Sequence, residues 1–291
     1  MPEKPPVILS IAGFDPSSGA GVTADIKTIA AHSCFGLTCI TAMTVQSTAG
    51  VKRVEPADPN LVLDTLQELA ADFDIAAVHI GMLGSVKVAK AVADFLSTPP
   101  PRPSRRSNNA RLPNIVLDPI LKSSSGADLL DAAGTKILIE RLIPLADVVT
   151  PNTDEAFVLT GVKIKDVDEM KAAAARLHEM GSPAVVITGG HLDKAIDLLS
   201  FKTPRGIEQE IFKAERQRSN STHGTGCAFS SAMACHLALD RGLAEATLLA
   251  KTYVSAAISC GQDVGKGTGP VNHLYRMYQQ RRAAGSGTES S

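Results

Sequence analysis

"VILSIAGFDPSSGAGVTADIKTIAAHS", residues 7–33, runs from a short apolar stretch through a Gly/Ser/Asp loop into a helical pattern. One such strand–loop–helix unit is ambiguous, but its repetition is not. Strand-sized runs recur at "GLTCITAMTVQS" (36–47), "AAVHIGML" (76–83), "NIVLDPI" (114–120), "ADVVT" (146–150) and "AVVITGG" (184–190). Helical patterns lie between them: a helix opening at Asp58-Pro59 with Leu61, Leu66 and Leu69 on its apolar side, then 85–97, 128–141, 153–161 and 166–180. Asp58 before Pro59 is an N-cap followed by the residue best suited to the first helical position. Asp166 and Glu169 have capping-box spacing. "AIDLLSF" (195–201) and "IEQEIFKAE" (207–215), joined by "KTPRG", read as an antiparallel pair, and helices from 226, 243 and 270 complete the chain. Strands alternating with helices predict an α/β fold with a mostly parallel sheet covered on both faces.

In such sheets ligands bind beyond the carboxyl ends of the strands. The loops to watch are therefore 13–21, 44–50, 81–84, 118–126, 150–155, 188–191 and 222–227.

Composition narrows the function classes. The 291 residues carry 29 Lys+Arg against 30 Asp+Glu, a net charge of −1, so no positive field recommends nucleic acid or a membrane surface. The one basic cluster, "RPSRR", has no aromatic residues for base stacking. The apolar runs are far shorter than a membrane span, and "MPEKPPVILSIAG" lacks the pattern of a secretory signal. Five cysteines without a CxxC pair argue against a disulfide framework or zinc site and for a cytoplasmic setting. Residues 98–113, with five prolines and four arginines, read as an exposed insertion. Residues 1–284 read as one domain and 285–291 as a disordered tail.

Three loops have chemistry in them. His223-Gly224-Thr225-Gly226-Cys227 ends at a helix start, where successive amides and the helix dipole make an anion site. The same field lowers a thiol's pKa, so Cys227 is expected either to act as a thiolate base or to be a helix-start cysteine that only packs. Asn152 and Glu155 at another helix start can orient waters around Mg²⁺, or form an ordinary cap with a reciprocal glutamate. Asp118 ends a strand before Pro119, either as a ligand-facing carboxylate or as a turn former. His79, inside an apolar run, reads as a core residue, and Met82 as packing or a pocket floor. Gly19-Ala20-Gly21-Val22-Thr23-Ala24 fits GxGxxA, but it starts six residues beyond its strand and no acidic residue follows at the right distance, so it is not a dinucleotide fingerprint. No Walker A sequence is present.

Taken in order, "IAGFDPSSGAGVTADIKT" (11–28), "TAMTVQSTAGV" (41–51), "IGML" (80–83), "LDPI" (117–120) with "SSSGADLL" (123–130), "TPNTDEA" (150–156), "TGGH" (188–191), "THGTGCAFSSA" (222–232) and "GKGTGPVNH" (265–273) resemble the hydroxymethylpyrimidine/phosphomethylpyrimidine kinases of thiamine biosynthesis. The resemblance covers nearly the whole chain apart from 98–113 and the tail. It implies the ribokinase-like three-layer αβα fold, a homodimer, and two successive ATP-dependent phosphorylations of 4-amino-5-hydroxymethyl-2-methylpyrimidine. It implies ATP and Mg²⁺ as cofactors and leaves open a monovalent cation.

By position, it implies a pyrimidine pocket of Gly13, Ala20, Thr44, Gln46, Met82 and Ile120. Nucleotide contacts fall at Asp118, Asn152, Glu155, Thr188 and Gly190, with Asn152 and Glu155 holding the metal through water. Gly224, Thr225 and Gly226 form the anion hole and Cys227 is the base. Two family lysines are missing, replaced by Ser124 and Thr188, with Lys122 and Lys266 the candidates to supply their charge. Pyridoxal kinase activity is the nearest alternative, and a catalytically silent metabolite-binding module is the other.

Overall fold

The computed structural model describes residues 4–98, 111–123, 125–190, 195–214, 219–261 and 263–278. Within them β1 (Val7–Phe14) leads into α1 (Gly21–Ala31), β2 (Phe35–Ser47), β3 (Gly50–Pro56), α2 (Pro59–Asp72), β4 (Ile75–Ile80) and α3 (Val86–Ser97). There follow β5 (Ile115–Leu117), α4 (Ala132–Ile137), β6 (Val148–Val149), α5 (Thr153–Thr160), α6 (Val167–Glu179) and β7 (Ala184–Gly189). The hairpin β8 (Ala195–Thr203) and β9 (Gly206–Ala214), then α7 (Thr225–Ala238) and α8 (Leu243–Ser259), come last.

One nine-stranded sheet has the order β3-β2-β1-β4-β5-β6-β7-β8-β9. Its centre, from β2 through β7, is parallel, while β3, β8 and β9 join antiparallel at the edges. Successive residues of β1 feed opposite faces: Leu9 and Ile11 pack with α2, α3 and α6, and Ile8 packs with α7 and α8. Both faces are thus sealed by helices, which is why the central strands read as unbroken apolar runs. The hairpin 195–214 forms as its two runs foretold.

Four local readings are corrected. Leu61 is 63% exposed, because Val62, Leu66 and Ala70 make the buried face of α2. Residues five apart sit about 140° around a helix, so Leu61 cannot share a face with Leu66.

The helix expected from 128 starts at 132: residues 121–122 pair with 128–129, and Asp131 caps the helix by accepting from the Gly134 amide. It then loosens into a π turn at Leu138–Leu142 and a tight turn at Ile143–Leu145. Pro144 lacks an amide to continue the ladder and crowds the carbonyl four residues back. The helix expected from 270 begins at 275, since the backbone of 271–272 is bonded to His223 and Ala257. β3 has no counterpart in the sequence reading. Most of the 98–113 insertion, Ser124, His191 and the 285–291 tail lie outside the described residues.

Candidate active site

The loops after β1, β2, β4, β5, β6 and β7 gather along the carboxyl edge of the sheet. β1 ends in a bulge: its pairing with β2 shifts between Ala12 and Phe14. A Cβ on Gly13, inside that bulge, would come within 2.9 Å of Met82 Sδ. Only a residue without a side chain lets the Met82 thioether reach the strand end. Met82, Ala42 and Leu129 form a small apolar cluster with Ile120 and Val54 packed against it. Gly13, Met82 and Ile120, three of the residues expected at the pyrimidine pocket, are thus brought together at the end of β1.

The loop after β1 is held by Asp15, only 3% exposed. Its carboxylate accepts from the Ser17 amide and hydroxyl and from the Gly19 and Ala20 amides. It also lies 2.9 Å from His223 Nε2. Burial disfavours its charge, but the His223 and Ser17 hydrogen bonds more than offset that and lower its pKa. Gln46 Nε2 is 3.2 Å from the same His223 nitrogen, and Thr44 Oγ1 is 3.2 Å from Gln46 Oε1. Ala20, Thr44 and Gln46 are thus joined to the segment that leads into α7. Gln46 and His223 also line a cavity of about 160 Å³ walled by Thr48, Gly50, Ser125 and Gly267.

Gly224 has φ +84°, and a Cβ there would lie 1.8 Å from Gly19 O. Glycine is required because two backbones touch. α7 follows, with Thr225 as its first residue. A Cβ on Gly226 would stand 3.5 Å from Asp118 Oδ2, so the loop faces that carboxylate. The Cys227 thiol accepts a hydrogen bond from the Gly21 amide, so the starts of α1 and α7 meet at one sulfur.

Charge around this sulfur is negative. Burial, with the His79 and Asp25 charges acting in opposite senses, raises Asp118 to about 6. Burial and Asp118 raise Glu155 well above the usual carboxylate range. Burial, then Asp25 and Asp118, push the Cys227 thiol well above 9, and the Gly21 amide offsets only part of this. In this structure the thiol therefore keeps its proton, held chiefly by burial and then by the carboxylates, rather than being the thiolate expected from the helix start alone.

Asn152 and Glu155 form a complete capping box, in which Asn152 Oδ1 accepts from the Asp154 and Glu155 amides and Glu155 Oε2 from the Asn152 amide. That box fixes Glu155 facing Asp118. Asp118 Oδ2 is buried without a hydrogen-bond partner. Hard oxygen donors, one of them unsatisfied, suit a divalent cation that keeps most of its waters. Among the described residues no group of three or more His, Cys, Asp or Glu could hold a metal ion.

Thr188 bridges to Asn152, placing the end of β7 beside the capping box, whereas a Cβ on Gly190 would meet open space. Lys122 is exposed and pairs with Asp128 at 3.5 Å, and the Lys266 amide donates to Thr48.

Sequence reasoning overlooked Asp15 and gave His223 no role beyond heading the glycine loop. A histidine directly before a Gly-Thr-Gly loop was the available signal. His79 lies in the core as read, yet it is paired with Asp25 at 3.2 Å. Burial works against its charge, but Asp25 prevails and raises its pKa.

The sequence profile of the family described as phosphomethylpyrimidine kinase matches residues 15–272. The hydroxymethylpyrimidine/phosphomethylpyrimidine kinase of Haemophilus influenzae is 38% identical, covering 91% of this chain and 96% of that protein. The thiamine biosynthesis bifunctional protein of Geobacter sulfurreducens is 39% identical over 92% of this chain, which spans about half (52%) of that relative's length. Among solved structures, the Bacillus subtilis pyridoxal kinase in its ADP complex aligns with a TM-score of 0.81 at 31% identity, covering 94% of this chain and 100% of that one. The phosphomethylpyrimidine kinase of Clostridium difficile aligns with a TM-score of 0.73 at 35% identity, covering 87% and 99%.

Proposed function

From the premise that the chain belongs to the phosphomethylpyrimidine kinase family, we infer that it transfers phosphoryl groups from ATP to 4-amino-5-hydroxymethyl-2-methylpyrimidine and then to the resulting monophosphate. The observation that carries this reading is the meeting of the Gly224–Gly226 loop, the Cys227 thiol and the unpartnered Asp118 oxygen at the carboxyl edge of the sheet.

Phosphoryl transfer is mainly positioning and charge stabilisation. The amides of 224–226 and the start of α7 are aimed where charge spreads over the migrating group. Gly13, Ala20, Thr44, Gln46, Met82 and Ile120 hold the pyrimidine. Asp118 and Glu155, with Asn152 fixing Glu155, would hold Mg²⁺ through water, with Thr188 beside them against the nucleotide. Mg²⁺ there would supply charge neutralisation between phosphate oxygens. Cys227 takes the hydroxymethyl proton, a role that requires positive charge among its three carboxylate neighbours.

The test is an assay with ATP, Mg²⁺ and the hydroxymethylpyrimidine, followed to mono- and diphosphate; turnover of neither acceptor refutes it. The closer structural match to a pyridoxal kinase favours one further reading, that pyridoxal is also accepted. Competition by pyridoxal in the same assay decides it. A homodimer is proposed through the exposed apolar residues Ile40, Met43 and Val45 of β2. A cytoplasmic setting accords with five cysteines that form no disulfide. Among the described residues no helix is long and apolar enough to cross a membrane.

A further inference from the structure

His223 stands between two acidic and amide partners whose protons have to be counted. Its Nε2 lies 2.9 Å from Asp15 Oδ2 and 3.2 Å from Gln46 Nε2. Asp15 accepts from three amides and a hydroxyl and is a carboxylate, with no proton to give. His223 Nε2 must then carry the proton, and a Gln46 N–H directed at it would set donor against donor. The other end of the amide has the complementary fault. Thr44 has one hydroxyl proton, claimed both by Phe14 O at 3.0 Å and by Gln46 Oε1 at 3.2 Å.

Turning the Gln46 amide end for end resolves both conflicts without moving a heavy atom appreciably, because its oxygen and nitrogen are nearly equal in size. Oε1 then accepts from His223 Nε2–H, which it shares with Asp15. Nε2 donates to Thr44 Oγ1, whose own proton goes to Phe14 O. We propose that His223, anchored by Asp15, is a positioning residue that fixes the orientation of the Gln46 amide and so the order of donor and acceptor offered to the substrate's pyrimidine edge. The acceptor lies at the His223 end and the donor at the Thr44 end. A 4-aminopyrimidine, with an amine beside a ring nitrogen, complements that order with its amine toward His223. The 4-oxo counterpart, with a carbonyl beside a ring N–H, has the opposite order and is rejected.

This inference rests on the kinase reading for its substrate but not for its first test. Nitrogen NMR of histidine in the ligand-free protein, with His223→Gln used to assign the signal, is expected to show Nε2 protonated; an unprotonated Nε2 overturns the proposal. In kinetics, His223→Leu is expected to raise KM for the aminopyrimidine by about 10-fold or more, with a smaller change in kcat. It also narrows the preference for the amino over the 4-oxo analogue. His223→Gln, which returns an N–H at similar reach, recovers most of both. An unchanged KM and preference in His223→Leu, or a loss confined to kcat, overturns the positioning role. Wild-type protein inactive on the aminopyrimidine would refute the kinase reading instead, and the NMR result would still judge the amide's orientation.

Discussion

Gly224→Ala tests whether the substrate loop and the anion loop are held as one unit. Two separable penalties are expected. The first is conformational: φ of +84° is left-handed, which costs an alanine about 1–2 kcal/mol. The second is steric, since the new Cβ would sit 1.8 Å from Gly19 O, and ordinary contact requires one backbone to withdraw by about 1.5 Å. Forced displacement of a packed segment adds about 1–3 kcal/mol. Gly161→Ala supplies the control, because Gly161 has φ +74° at the end of α5 and open space around it.

Urea unfolding is expected to show a loss of about 1–2 kcal/mol for Gly161→Ala, that is, the conformational penalty alone. Gly224→Ala is expected to lose about 2–5 kcal/mol. Kinase turnover is unchanged in Gly161→Ala and falls by about 100-fold or more in Gly224→Ala, because the amides no longer meet the transferred group. Equal behaviour of the two variants would refute the claim that these loops are locked together.

Asp118→Asn is expected to stabilise the protein while abolishing phosphoryl transfer. The Asp118 carboxyl titrates at about 6 when folded against 3.8 ordinarily, so its folded form prefers the proton and stability falls as pH rises between those values. Thermal unfolding without Mg²⁺ would show a gain of about 1–3 kcal/mol at pH 8, shrinking toward pH 4. No gain at pH 8 contradicts a buried, disfavoured carboxylate. Cys227→Ala is expected to slow phosphorylation of the alcohol far more than that of the monophosphate, since a phosphate monoester with a second pKa of about 6 needs no base. Equal losses in the two rate measurements would assign Cys227 to loop geometry alone. Light scattering after gel filtration is expected to give a dimer that Met43→Lys splits, and a monomeric wild type would contradict the β2 interface.

The sheet was legible because parallel strands buried on both faces leave unbroken apolar runs. "VILSIAG" and "AVVITGG" needed no context. β3 was not legible: "GVKRVEP" is an edge strand with exposed Lys52, Arg53 and Glu55, and among the described strands it pairs with β2 alone. The end of α4 escaped because Pro144 acts on carbonyls a turn earlier, and its effect depends on what the helix packs against. The anion loop showed itself through its Gly-Thr-Gly spacing at a helix start, although the backbone that Gly224 touches, at Gly19, lies far away in sequence. The state of the Cys227 thiol did not, because it is governed by Asp25, Asp118 and Glu155, which lie 202, 109 and 72 residues away in sequence. The same holds for His223, whose partners Asp15 and Gln46 come from the loop after β1 and the end of β2.

The most direct measurement is a crystal structure with a non-hydrolysable ATP analogue, Mg²⁺ and the hydroxymethylpyrimidine. The expected result places the terminal phosphate against the amides of Gly224, Thr225 and Gly226, with the acceptor hydroxyl beside Cys227 Sγ. A terminal phosphate bound elsewhere, with 224–227 touching only solvent, would contradict it.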